Sequence, residues 1–185
     1  MFEHTRQLLG YHVARFRLRK EPRDVVAFIN AFSSAKRALL IMPLGGAEFL
    51  PTVIVIDMLR QKYGERNLTI VTDGRGTEAH RALPHSTFIH LLKTDLNSLF
   101  LPHRNVLLQI TQNSYDVAVD LNLDLMLPSG YICRASGAQV RIGFVRKHAD
   151  EFYNFQIRPD PTLSRRLIYD RLAKCLQMFQ AGEVQ

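Results

Sequence analysis

The sequence predicts an α/β fold: a Rossmann-like, three-layer domain whose mostly parallel sheet carries helices on both faces. Three observations predict it. The stretch Ala38–Leu59, ALLIMPLGGAEFLPTVIVIDML, runs from an apolar segment through Pro43 and the pair Gly45-Gly46 into a second apolar segment. An apolar strand feeding a glycine turn and then a helix is how a nucleotide-binding-type α/β domain begins. Strand-like runs then alternate with helical ones, the pattern of a parallel sheet covered on both faces. The chain has 185 residues and 46% hydrophobic content, enough for one domain with a sizeable core.

Residues 1–20 read as an amphipathic helix. Phe2, Leu9, Val13 and Phe16 recur near helical spacing, and Arg6, Arg15, Arg17, Arg19 and Lys20 supply charge. Two readings fit: a surface that touches anionic lipid, or a helix docked on the domain with a solvated basic face. Glu21-Pro22 breaks the chain, and Pro22 suits a first helical turn. Val25, Phe28, Ile29 and Phe32 then form the core stripe of a second helix ending at Ser33-Ser34. Residues 1–36 are thus a helical extension ahead of the domain at 37–185.

The first strand covers Arg37–Met42. The glycines after it let the backbone turn sharply, and a helix starting there aims free N–H groups at whatever binds. Val53-Ile54-Val55-Ile56 is β-branched and suits a strand. A helix is nevertheless the better reading of this segment. The apolar run continues to Tyr63, Asp57 and Arg60 can pair three residues apart, and Gly64 supplies a stop. Leu68–Thr72 is the second strand and closes in the turn Asp73-Gly74-Arg75-Gly76. Thr87–Leu92 is the third strand, Lys93–His103 a loop, and Asn105–Gln112 a helix. Tyr115–Leu121 is the fourth strand. A helix follows over Leu125–Ser136, weakened by Pro128 and Gly130. Val140–Phe144 is the fifth strand and Glu151–Ile157 a short sixth at an edge. Thr162–Phe179 closes the chain as an amphipathic helix, with Leu163, Leu167, Leu172, Leu176 and Phe179 near one face.

Composition narrows the partners. The net charge of +7 and the pI near 9.7 favour acidic ones: phosphorylated glycans, anionic lipid or nucleic acid. No RRM, KH or zinc-finger signature is present, so nucleic acid rests on charge alone. Cys133 and Cys175 are far apart and fit no metal or redox spacing, which reads as reduced thiols in a cytosolic protein. No apolar run reaches membrane-spanning length, and the N-terminus is too polar and arginine-rich for a secretory signal. The expected location is the cytoplasm, to which the lipid reading of residues 1–20 adds peripheral membrane contact. The pattern calls for no cofactor.

Three stretches together resemble glycosyltransferase family nine, the ADP-heptose:lipopolysaccharide heptosyltransferases. ALLIMPLGG…LPTVIVIDMLRQKYGERNLTIVTD is similar to that family's opening strand, glycine loop, proline-bearing helix and second strand. YDVAVDLN is similar to its YDLVIDLQ segment, and CRASGAQVRIGF to its LSGAPRRIGF segment. Order and spacing agree from Arg37 to the final helix. The resemblance implies one half of a glycosyltransferase B architecture, in which the N-terminal half receives the acceptor sugar and the C-terminal half holds the nucleotide sugar. This chain resembles the N-terminal half. The family's glycine loop carries an Asp taken to deprotonate the acceptor hydroxyl; the matching place here reads Gly45-Gly46-Ala47. Glycine has no proton-accepting side chain, so a general base cannot act from that position.

Candidate site residues follow from these readings. Glu48 is the nearest carboxylate to the missing base. It is a candidate catalytic residue, although a carboxylate in a first helical turn also complements the helix dipole. Asp120 lies at the carboxyl end of the fourth strand, and Asn122 occupies the place of a family residue near the cleft. With Asp124 they can bind a sugar hydroxyl or a cation, or cap the following helix. Asp73 and Arg75 stand in the same position after the second strand, with the same two readings. Arg141, Arg146, Lys147 and His148 can hold a glycan phosphate or form a solvated surface. His80, His85 and His90 are regularly spaced but make no zinc pattern. The function expected is a non-catalytic binding or interaction module for an acidic glycan or lipopolysaccharide precursor, a membrane surface or a protein partner. Its mouth would be Gly45, Gly46, Glu48, Asp73, Asp120 and Asn122. The alternative is a heptosyltransferase component active as a homodimer or with a separate donor-binding chain.

Overall fold

The computed structural model describes residues 2–18, 27–45, 49–74 and 77–180. Its centre is a six-stranded sheet: β1 (Ala38–Ile41), β2 (Leu68–Thr72), β3 (Thr87–His90), β4 (Val117–Asp120), β5 (Val140–Phe144) and β6 (Phe155–Ile157). All neighbours pair in parallel, in the order β3-β2-β1-β4-β5-β6. The chain builds outward from β1 to β3, then returns to the other side of β1 and builds outward again. In register, Leu40 stands beside Ile70 on one side and Val119 on the other. β1, β2 and β4 are buried along their whole length. That is why they read as continuous apolar runs rather than alternating ones.

The helices are α1 (Phe2–Leu18), α2 (Phe28–Ser34), α3 (Val53–Tyr63), α4 (Thr77–Ala82), α5 (Arg104–Thr111), α6 (Leu127–Ala135) and α7 (Arg165–Gln180). Two cores separate them, because successive strand residues point to opposite faces. Ala38 and Leu40 meet α2, α3 and α7, whereas Leu39 and Ile41 meet α1, α5 and α6. The β-branched run after the glycine turn is helical, as expected. A 3-10 turn at Leu50–Thr52 leads into α3, Asp57 and Arg60 pair at 3.1 Å, and the helix stops at Gly64. Pro128 does not break α6, because it sits in the first turn, where its missing N–H would have had no partner.

Two elements differ from the sequence reading. α4 was not expected; it is six residues long and mostly polar, and it buries Ala79, with Leu83 buried just after it. α1 does dock on the domain, but through a different face. Gly10, Ala14 and Leu18 form the seat, and a Cβ at Gly10 would run into the Leu99 carbonyl oxygen. Of the stripe the sequence marks, Val13 packs against the core, Leu9 and Phe16 turn outward, and the Phe2 side chain lies outside the described residues. The receiving segment is more ordered than a plain loop. Asn97 Oδ1 accepts from the N–H groups of Leu99 and Leu101 (2.8 and 3.1 Å), and Arg6 Nε donates to the Ser98 carbonyl at 2.7 Å. α2 is held by rings: Phe28 stacks on Phe155 at 4.1 Å and meets Phe179 edge-on at 4.9 Å. α2 starts at Phe28, after Ala27; Pro22 and Val25, which the sequence reading placed in this helix, lie outside the described residues.

Candidate functional site

The strand order reverses between β1 and β4, and open α/β sheets leave a crevice at the carboxyl ends of such strands. A cleft of about 90 Å³ lies there. Pro43 and Leu44 after β1, Asn122 and Asp124 after β4, and Arg165 and Tyr169 from α7 line it. Gly45 turns the β1 loop away at a φ of 78°, and a Cβ there would touch nothing, so conformation rather than room calls for glycine. Gly46 and Glu48 lie outside the described residues, as do Arg75, Arg19 and Lys20.

Asn122 is the fastener of the site. Its Oδ1 accepts from the Leu44 N–H at 2.8 Å. Its Nδ2 donates to the Met42 carbonyl at 3.2 Å and to Asp120 Oδ1 at 2.7 Å. Its backbone N–H donates to the same Asp120 oxygen at 2.9 Å. The Tyr153 hydroxyl donates to Asp120 Oδ2 at 2.7 Å. Asp120 is therefore sealed, with 1% of its surface exposed. Burial pushes its carboxyl above the ordinary carboxylate range, and hydrogen bonds from Tyr153, Asn122 and Ser129 pull it back in part. Beside it, burial pushes the Cys133 thiol well up, with Asp120 adding to the effect, which makes this sulfur a poor nucleophile.

These contacts correct the capping reading. α6 begins after Met126 with no side-chain cap, so Asp120, Asn122 and Asp124 do not cap it. Nor does Asp120 open into the cleft, and the Asn122 amide is committed to joining two loops. Asp124 does reach solvent: its side chain is 95% exposed and lies 3.8 Å from Arg146 Nε. Asp73 follows β2, half-buried, and is not part of the cleft wall. Asp116, at the opposite end of β4, accepts from the N–H groups of Lys36 and Arg37 (2.7 and 2.9 Å).

The basic group also divides. Arg141 leaves the solvated surface: its guanidinium donates to the carbonyls of Phe152 (3.1 Å) and Ala138 (2.7 Å). Arg146 is half-buried beside Asp124 and Lys147 is exposed. Arg15 pairs with Glu151 at 3.2 Å, and Arg17 is exposed on α1. Among the described residues no three His, Cys, Asp or Glu side chains converge on a point that could hold a metal. His80 and His90 do meet, Nε2 to Nε2 at 3.2 Å, with His80 stacked on Phe88.

Arg165 and Tyr169 were missed by the sequence reading. Both sit on α7, far along the chain, and periodicity marked that helix as core. The structure brings its first turns to the cleft. The approach is fixed by Asp160, whose Oδ1 accepts from both the N–H and the hydroxyl of Thr162 (3.0 and 2.6 Å). The Tyr169 hydroxyl donates to the Leu121 carbonyl at 2.6 Å, which holds α7 against the β4 loop.

No family profile and no curated protein matches the chain. Solved structures match it in fold. The glycosyl transferase family 9 protein from Veillonella parvula superposes with a TM-score of 0.60 at 17% identity, covering 76% of this chain and 41% of that one. The E. coli heptosyltransferase WaaC with ADP gives a TM-score of 0.57 at 12% identity, covering 80% of this chain and 49% of that one. The chain thus spans less than half the length of the solved structures it matches. The likeness is one of fold, and in fold both the α/β expectation and the resemblance hold. No helix among the described residues is long and apolar enough to cross a membrane.

Proposed function

We propose that this chain is a glycosyltransferase-like binding module that receives an acidic saccharide at the cleft between β1 and β4 without turning it over. The charge layout of the cleft carries the reading. Arg165 lines it, Asp120 is sealed, and the exposed Asp124 on its wall lies 3.8 Å from Arg146. Arg165 offers a cation to a phosphate or carboxylate, and Arg146 offsets the charge of the lining's Asp124. Its volume of about 90 Å³ is well below the roughly 300–1,000 Å³ of drug-sized ligand pockets. It suits an anionic head group better than a whole nucleotide sugar. The loop sequence Gly45-Gly46-Ala47 points the same way, since it brings no proton acceptor.

Two measurements test this. Titration with a hexose phosphate, followed by NMR, should show saturable binding that Arg165→Glu abolishes. Incubation with ADP-heptose should release no ADP. Turnover by the lone chain, lost in Glu48→Gln, would overturn the non-catalytic reading. A second reading is favoured by the match to less than half of each solved structure. In it, the chain is the acceptor side of a heptosyltransferase whose donor side comes from another chain or copy. Turnover that appears only with an added donor-side chain, or rises more steeply than linearly with protein concentration, would select it.

A further inference from the structure

The outward face of α1 carries apolar side chains that the described fold leaves uncovered. Leu9 and Phe16 stand two turns apart on it, 54% and 73% exposed, with exposed Leu8 alongside. Helices of soluble domains turn their polar side to water and their apolar side inward. Here the inward side is made of Gly10, Ala14 and Leu18, and bulkier apolar groups face out. By the helical period, Arg6 and Arg17 fall on one flank of the stripe and Arg15 on the other. Arg15 remains 65% exposed despite its contact with Glu151. From Thr5 to Lys20 the sequence holds Arg6, Arg15, Arg17, Arg19 and Lys20 and no Asp or Glu.

We propose that α1 docks this protein on an anionic lipid bilayer. The helix lies in the plane of the interface, with Leu9 and Phe16 at the acyl boundary and Arg15 and Arg17 among the head-group phosphates. The charge pattern selects this occupant. An apolar stripe between cationic flanks matches a surface that is negative outside and apolar just beneath, and basic clusters on amphipathic helices bind such surfaces. A second copy of this chain meeting the first through the same face would oppose its arginines with identical ones, on a protein whose net charge is already +7.

The sequence contains no tryptophan, so Phe16→Trp creates a single fluorescent reporter at the exposed position. Mixed with vesicles of phosphatidylcholine and phosphatidylglycerol, it should show a blue shift in emission. Phosphatidylcholine alone should give none, and added salt should reverse the shift. In flotation assays Arg17→Glu should weaken vesicle binding roughly tenfold. Phe16→Ser with Leu9→Ser should abolish it, with circular dichroism unchanged because both side chains lie at the surface. Arg165→Glu should leave it intact, so loss of saccharide binding and loss of lipid binding are read separately. An emission maximum that no vesicle moves, or that both lipids move equally, overturns the proposal. Self-association seen in sedimentation and abolished by Phe16→Ser would overturn it too, and would assign the face to contact between copies.

Discussion

Replacing Tyr153 by Phe removes one oxygen atom, the one whose hydrogen lies on Asp120 Oδ2 at 2.7 Å. The ring stays in place, so packing is conserved. A hydrogen bond to a charged partner contributes about 1.5–3 kcal/mol, and an orphaned buried acceptor costs a similar amount. The expected loss at neutral pH is therefore about 2 kcal/mol, which lowers Tm by roughly 4–8 °C in a domain of this size. The loss should depend on pH. Burial raises the carboxyl of Asp120, so the native protein keeps this proton to a higher pH than the unfolded chain does. The stability it contributes is complete below about pH 4, the unfolded carboxylate value, and is lost as pH rises through the raised native value. The Tyr153 hydroxyl limits that loss because it donates to the ionised oxygen. Tyr153→Phe should therefore cost less near pH 4 than at neutral pH, because more of Asp120 is ionised at the higher pH. Urea denaturation at both pH values measures the difference. Tyr169→Phe is the control. Its hydroxyl donates to the neutral carbonyl of Leu121, so it should cost about 1 kcal/mol at either pH. Equal losses for Tyr153→Phe at the two pH values would refute the reasoning.

Gly143→Ala would place a Cβ 2.6 Å from the Tyr153 ring; it should destabilise by about 1–3 kcal/mol in denaturant melts. Combined with Tyr153→Phe it should be less than additive, because both act on one ring. Gly45→Ala meets nothing in space, yet at a φ of 78° it should cost about 1–2 kcal/mol, measurable as a lower urea midpoint. Phe28→Ala removes the ring between Phe155 and Phe179. Destabilisation of about 2–4 kcal/mol is expected, and hydrogen exchange should show protection lost first in α2 and β6.

Much of the fold was legible because a sheet buried on both faces writes itself as apolar runs, and β1, β2 and β4 are such runs. The helix over Val53–Tyr63 was legible despite its β-branched residues, because its length and its glycine stop outweigh residue preference. α4 was not legible. Six residues, four of them polar, with one alanine buried, leave no periodic trace. The facing of α1 stayed open between two readings because glycine and alanine can make a tight seat while carrying almost no hydrophobic signal. At the site, the chain position of Asp120 and Asn122 marked the right loop. Their roles depend on Tyr153, Met42 and Leu44, which are distant in sequence and become partners only when the sheet closes. Arg165 and Tyr169 are of the same kind. Arg141 looked like one of a run of surface cations, and only the carbonyls of Ala138 and Phe152 show what it holds.

Asn122 stitches together the two strand-end segments that a larger guest would have to push apart. The other side of the cleft is the start of α7, held to the Leu121 carbonyl by the Tyr169 hydroxyl and to the core by the buried Ile168 and Tyr169. A guest too large for the cleft has to loosen either the Asn122 fastening or this second hold.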